Sequence, residues 1–194
     1  MNQQFFKKHP FLFWQPKTDW FKVISQKRGG NIFLVIFNYI LWVFLFYVSF
    51  RLIRFNTNVF WQLLLATIIS EIFEKFLKIK SFWPRPLHMR QNDLPTGMIK
   101  SFYHHGSFPS GHAIKITFFL VFLLQNPAAF PIVSYLVITI PLVFSRIILG
   151  LHYPIDLIGG ILIGLLIGLA ISQIQFPVFL INFIHPIFNF IFGL

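Results

Sequence analysis

The run GSFPSGHAIK, residues 106–115, places small and polar residues directly before an apolar stretch. Pro109 suits the first turn of a helix, since its missing N–H group would have no partner there. The free N–H groups that follow, together with the helix dipole, form a binding site for an anion such as phosphate. Ser110 and Gly111 can therefore offer a hydroxyl group and backbone donors, with His112 one residue deeper. A capping serine followed by an incidental histidine is the alternative.

A second polar group lies in the run SRIILGLHYPID, which is otherwise rich in Ile, Leu and Gly. Pro154 is expected to begin a helix, which places His152 just outside it and Asp156 within its first turn. A carboxylate beside an imidazole can accept a hydrogen bond from one ring nitrogen and fix the tautomer. The other nitrogen is then free to act as a nucleophile or a base. A purely structural His-Asp pair is the alternative.

Two cations precede these groups in the run KIKSFWPRP. Lys78 lies at the end of a helical pattern, seven positions before Arg85. Pro84 and Pro86 are expected to stop the helix and to hold Arg85 on a stiff extended segment. Both cations are thereby predicted to lie at the mouth of one site.

The region around these motifs is strongly basic. Between residues 75 and 112, Asp93 is the single acid among many Lys, Arg and His residues. One helical face is expected to point into a helix bundle, and it carries Glu71, Glu74, Lys75 and Lys78. This concentration of cations favours an anionic ligand. A cytoplasmic loop, which the positive-inside rule makes basic in any membrane protein, is the alternative.

The elements that must position these residues are apolar. Of the 194 residues, 56% are hydrophobic and 28 are Phe, which is far from a soluble average and predicts a membrane protein. With short extensions, each of five apolar stretches approaches the roughly 20 residues that span a hydrocarbon core. These predicted transmembrane helices are residues 32–50, 59–73, 113–124, 132–144 and 157–174.

The two ends of the chain differ from these spans. Residues 177–194 are apolar but contain Pro177, His185 and Pro186, so they form either a sixth span or an interfacial segment. Residues 1–30 mix Lys and Arg with Phe and Trp, which predicts an interfacial amphipathic helix. We therefore predict an all-α polytopic membrane helix bundle with five or six transmembrane helices. Its two parts are an N-terminal interfacial segment, residues 1–30, and a membrane domain, residues 31–194.

The net charge of +11 limits the possible partners. The basic residues are split among short segments between helices, so nucleic acid is a poor candidate. A lipid bilayer and an anionic lipid substrate fit better. The chain has no cysteine, and no cluster of Asp and Glu is available to hold a metal ion, so a site without metal or cofactor is predicted. His104 and His105 are expected to be solvated loop residues.

The fixed residues of the three runs occur in the order and at the spacing of one family. The chain resembles the type 2 phosphatidic acid phosphatases, or lipid phosphate phosphatases, whose signature is K-x6-R-P, P-S-G-H and S-R-x5-H-x3-D. Every fixed position is filled, by Lys78, Arg85, Pro86, Pro109, Ser110, Gly111, His112, Ser145, Arg146, His152 and Asp156. A four-residue word at average usage occurs about once in 10⁵ positions, and here two further spaced motifs accompany it.

The resemblance implies a role for each residue. His152 would attack phosphorus and become a phospho-histidine, Asp156 would orient it, and His112 would protonate the leaving oxygen and later activate water. The residues that would hold the phosphoryl oxygens are Lys78, Arg85, Ser110, Gly111 and Arg146.

The resemblance also implies an activity and a location. The activity is a metal-independent phosphatase for a lipid phosphate or diphosphate, such as undecaprenyl diphosphate, phosphatidylglycerophosphate or phosphatidic acid. Specificity is expected in the loop of residues 87–108 and in bundle-facing residues. Alternatives are a lipid A phosphatase or phosphotransferase with the same site, or a non-catalytic transporter of anionic lipid.

The implied location is the bacterial plasma membrane, with the site on the extracytoplasmic face. Five spans would place the basic residues 1–30 on that face too, contrary to the positive-inside rule. Either residues 11–24 dip into the membrane or the N-terminal helix lies on the outer leaflet, and the second explanation is favoured.

Overall fold

The computed structural model describes residues 9–80, 82–90 and 106–192. Within these ranges the regular secondary structure is helical, which confirms the predicted all-α fold. The helices are α1 (Trp20–Ser25), α2 (Gly30–Phe55), α3 (Asn58–Ile79), α4 (Pro86–Arg90), α5 (Gly111–Gln125), α6 (Ile132–Ile148), α7 (Pro154–Ser172) and α8 (Val178–Phe192).

The longest apolar helices are suited to a bilayer. Helices α2 and α7 are long and apolar enough to cross it, each with a mean hydropathy of 2.3, whereas α5, α6 and α8 are apolar but shorter. Large apolar side chains such as Phe46, Leu166 and Phe183 face outward, as they do on a surface that contacts lipid. These features indicate a membrane protein.

The N-terminal segment is less helical than expected. Within residues 9–30 it forms only the six-residue helix α1 before α2 begins. Asp19 caps α1, because its Oδ1 accepts a hydrogen bond of 3.0 Å from the N–H group of Lys22. Pro10 and Pro16 lie upstream, and proline inside a helix removes a backbone donor and collides with the preceding turn. The amphipathic interfacial helix over residues 1–30 stays a prediction.

Helix α5 is central, with contacts to α2, α3, α6 and α7. Ile114, Phe118 and Phe122 of α5 are fully buried. Gly160 and Gly168 of α7 face it so closely that an added Cβ atom would lie 2.6 Å from Ser110 O and 2.9 Å from Val121 Cβ, respectively. Small residues permit this approach, as in many membrane helix pairs. The helices that carry His112 and Asp156 are therefore packed directly together.

Candidate active site

A cavity of about 380 Å³ lies where the three motifs converge. All the predicted site residues except Ser110 and Asp156 line it. The lining residues are Asn38, Tyr39 and Trp42 of α2, Glu71, Glu74 and Lys78 of α3, Gly111, His112 and Lys115 of α5, and Arg85, Arg146, Leu151 and His152. Motifs far apart in sequence thus meet in one cavity.

The turn that ends α6 delivers His152 to this cavity. Gly150 has φ +70°, a left-handed conformation that favours glycine. Its N–H group donates to Ile147 O at 3.0 Å, and that of Leu151 donates to Arg146 O at 2.9 Å. This is the Schellman pattern of helix termination. The N–H group of His152 also donates to Arg146 O, at 3.2 Å, so the histidine backbone is fixed to the end of α6.

Asp156 is completely buried in the first turn of α7, as the position of Pro154 predicted. Its Oδ2 accepts a hydrogen bond of 2.7 Å from the N–H group of Tyr153. Its Oδ1 accepts one of 2.8 Å from the indole Nε1 of Trp83. His152 Nδ1 lies 3.4 Å from Oδ2, which is longer than a well-formed hydrogen bond. Catalytic hydrogen bonds often tighten only when substrate binds.

The electrostatic environment of His152 favours a neutral ring. Burial lowers the pKa of His152 to about 4, and the cations of Arg85 and Lys78 act in the same direction, while Asp156 partly opposes them. The imidazole is therefore unprotonated at neutral pH. An unprotonated ring nitrogen is the form required of a nucleophile.

The second motif begins α5, but one detail of the expectation was wrong. The helix begins at Gly111 and Pro109 lies outside it, because Ser110 occupies the capping position. Ser110 Oγ accepts from the N–H group of Ala113 at 3.5 Å, and its own N–H group donates to Asp156 O at 3.0 Å. The capping function of Ser110 is thus present, and the backbone links the second motif to the third.

His112 is held from one side by α2. It hydrogen-bonds to the backbone of Asn38, and its ring centroid lies 6.2 Å from that of Trp42. Its Nε2 is buried and has no hydrogen-bond partner among the described residues. Because His112 lines the cavity, a ring nitrogen in this state is suited to exchanging a proton with a bound ligand.

Arg85 ties the first motif to the third. Its buried guanidinium donates from Nη1 to Leu151 O at 3.1 Å, and the N–H group of Leu87 donates to Gly150 O at 2.9 Å. Arg85 lies outside the helices, after the end of α3 at Ile79, and Pro86 begins the short helix α4. Proline is well tolerated at a first helical position because its missing donor is not needed there.

The lysines of α3 and α5 form a chain of alternating charges. Lys78 Nζ pairs with Glu74 Oε1. Lys115 Nζ lies 2.9 Å from Glu74 Oε2 and 2.8 Å from Glu71 Oε1. Glu71, Glu74 and Lys78 share the cavity face as predicted, whereas Lys75 is exposed and lies outside it. The pairing fixes Lys78 at the cavity.

Sequence reasoning missed three residues at this site. Asn38 binds Arg146, Lys115 pairs with both glutamates, and Trp83 binds Asp156. Asn38 and Lys115 are polar residues within apolar stretches, and this isolation was an available signal. Trp83 gave none, since aromatic residues are abundant along the chain.

Two further predictions concern a metal ion at the site and the loop of residues 87–108. Within residues 9–80, 82–90 and 106–192, no group of three His, Cys, Asp or Glu side chains could hold a metal ion. His104 and His105, and most of the loop predicted to set specificity, lie outside the described residues.

Comparison with known proteins identifies the family of the chain. Residues 59–179, which contain all three motifs, match the PAP2 superfamily, and the chain belongs to that superfamily. An Escherichia coli (strain K12) protein named "Putative undecaprenyl-diphosphatase YbjG" is 38% identical over 78 residues. The aligned part covers 38% of this chain and 38% of that protein. No solved structure matches the chain.

Proposed function

We propose that this chain is an integral-membrane phosphatase that hydrolyses lipid phosphates or diphosphates through a phospho-histidine intermediate. The observation that carries the proposal is the placement of buried His152 beside buried Asp156 at a cavity that Arg85 and Arg146 also line. Such an arrangement joins a nucleophile to cations that can hold a phosphoryl group.

In the first step, His152 Nε2 attacks phosphorus, since Nδ1 faces Asp156. The bond between phosphorus and the leaving oxygen breaks, and His112 donates a proton to that oxygen. In the second step, a water molecule gives a proton to His112 and displaces His152, which releases inorganic phosphate. Each proton that His112 loses is therefore regained within one turnover.

Charge stabilisation in both steps falls to the surrounding donors. Phosphoryl transfer depends mainly on positioning and on neutralising charge. Lys78, Arg85 and Arg146 would bind the phosphoryl oxygens, together with Ser110 and the backbone N–H groups at the start of α5. These groups can do the work that a metal ion does elsewhere, so we propose a metal-independent reaction.

The substrate is proposed to be a membrane lipid whose headgroup enters the cavity. Tyr39 and Trp42 line the cavity and are also exposed on the lipid-facing side of α2, so a lipid tail could remain in the bilayer. The name of the E. coli relative favours undecaprenyl diphosphate. Phosphatidylglycerophosphate and phosphatidic acid are further candidates, and a lipid A phosphatase or phosphotransferase would use the same groups.

We propose a multi-pass protein of the bacterial plasma membrane, with the site on the extracytoplasmic face. If α2 and α3 both span the membrane, the first motif, which begins at the end of α3, would lie on the same face as residues 9–30. The packing of Phe13 against Trp83 and Tyr153, with ring centroids 5.2 Å apart in each pair, supports this. If α8 is a sixth span, the C-terminus lies there too. An N-terminal reporter that is active only in the cytoplasm would contradict this orientation.

The test of the activity is phosphate release by the purified protein in detergent from a panel of lipid phosphates and diphosphates. Release is expected from at least one lipid, and His152→Ala should abolish it. Equal release by His152→Ala and the parent would disprove the nucleophile assignment. A parent that releases none from any lipid would favour the transporter alternative.

A further inference from the structure

Trp83 binds the carboxylate that faces the proposed nucleophile. Its indole Nε1–H group donates to Asp156 Oδ1 at 2.8 Å. The other carboxylate oxygen, Oδ2, accepts from Tyr153 N–H and faces His152 Nδ1. The two oxygens thus have different partners, and the indole holds the one that is turned away from the histidine.

This hydrogen bond matters because Asp156 is completely buried. A buried carboxylate oxygen that loses its donor is destabilised, since no water replaces the donor. The carboxylate could then rotate to find another partner. The separation of His152 Nδ1 from Oδ2 is already 3.4 Å, so even a small rotation would remove the contact that fixes the imidazole.

The ring of Trp83 is itself held by three aromatic side chains, two of which are distant from it in the sequence. Its ring centroid lies 5.2 Å from that of Phe13, 5.3 Å from that of Phe108 and 6.0 Å from that of Phe82. The N-terminal segment that carries Phe13 is anchored here too, because Leu12 O accepts from the N–H group of Ile155 at 3.1 Å. The indole therefore has little freedom to turn away.

Trp83 does not belong to the described cavity lining, and its indole N–H group donates to Asp156. We infer that Trp83 is a positioning residue, which acts on the reaction by holding the Asp156 carboxylate in the orientation that fixes His152. The inference rests on the proposed phosphatase function. It also assigns a role to a position between the fixed residues of the first motif.

The test compares the parent with Trp83→Phe, which keeps an aromatic ring and loses the donor. A hydrogen bond to a charged group is worth enough to change a rate by about 10- to 100-fold, and we expect kcat to fall by that factor. KM for the lipid should stay within about twofold, because substrate binding is unaffected. Inhibition by vanadate, which imitates five-coordinate phosphorus, should weaken in parallel with kcat.

The matched control is Phe82→Leu, which changes a side chain packed on the same indole but removes no hydrogen bond. It should leave kcat and vanadate inhibition within about twofold of the parent. If Trp83→Phe does not fold, benzothienylalanine at position 83 replaces the N–H group with sulfur and preserves the ring shape. The same loss of kcat is expected.

The measurements separate a failure of the proposed phosphatase function from a failure of the role assigned to Trp83. A parent that releases no phosphate from any lipid would refute the proposed function itself. An active parent with an equally active, folded Trp83→Phe or benzothienylalanine variant would overturn only the role of Trp83. A rise in KM, with kcat and vanadate inhibition unchanged, would also overturn the role of Trp83.

Discussion

Arg146 Nη1 donates a hydrogen bond of 2.8 Å to Oδ1 of Asn38. Arg146 is only 1% exposed, and a buried charge is tolerated where polar partners surround it. Because Asn38 also hydrogen-bonds to His112 through its backbone, one residue of α2 contacts both the proposed acid and a proposed phosphate-binding cation. The first long helix therefore contributes to the site although it carries none of the three motifs.

Replacing Asn38 with alanine should weaken catalysis. The change removes the Asn38 oxygen that accepts from Arg146 Nη1, so we expect kcat/KM for the lipid to fall by about tenfold or more. Asn31→Ala is the matched control, because Asn31 is exposed in the first turn of α2, and it should stay within about twofold of the parent. Equal activities of the two variants would exclude a role for the Asn38 side chain.

The His112→Ala variant should depend strongly on the leaving group. With a lipid phosphate the leaving oxygen needs a proton, so general acid catalysis predicts a loss of about 10²- to 10⁴-fold. An aryl phosphate with an acidic phenol needs no such proton, and the first step, measured as a burst of phenol, should be much less affected. A similar loss of the burst with both substrates would contradict the assignment of His112 as the acid.

The pKa of His152 predicts the acidic limb of the pH profile. A pKa lowered to about 4 keeps the ring neutral above that value, and protonation below it removes the nucleophile. We therefore expect the limb of kcat/KM that reports His152 to have its midpoint near pH 4. The second ionisation of a phosphate group lies near pH 6, so the two limbs can be separated. A His152 limb near 6.5, the value for an unperturbed histidine, would show that burial does not act as described.

Chelation should leave the activity intact. Because Lys78, Arg85 and Arg146 are proposed to neutralise the phosphoryl charge, we expect initial rates of lipid dephosphorylation in EDTA to stay within about twofold of the untreated rate. Vanadate should inhibit under the same conditions. A loss of activity in EDTA that Mg²⁺ or Zn²⁺ restores would show that a metal ion participates.

Much of the architecture could be predicted, because hydrophobic runs and proline positions are local signals. Pro154 correctly placed Asp156 in a first helical turn and His152 just before it. The exact first residues of α5 and α4, Gly111 and Pro86, could not be predicted. Several neighbouring residues could each begin the helix, and the sequence alone does not show which one does. The isolation of Asn38 within an apolar stretch was a signal, but its partner Arg146 could not be predicted, and neither could the contact of Trp83 with Asp156, since each arises from an approach between distant segments.

The close packing of α5 against α7 limits where the substrate preference of this protein can be changed. Gly160 and Gly168 leave no room between the two helices, so the proposed acid and the proposed partner of the nucleophile belong to one stiff unit. Selection for new lipid preferences should therefore succeed at Tyr39 and Trp42, where α2 borders the cavity. Randomising the glycine face would mostly yield proteins that do not assemble.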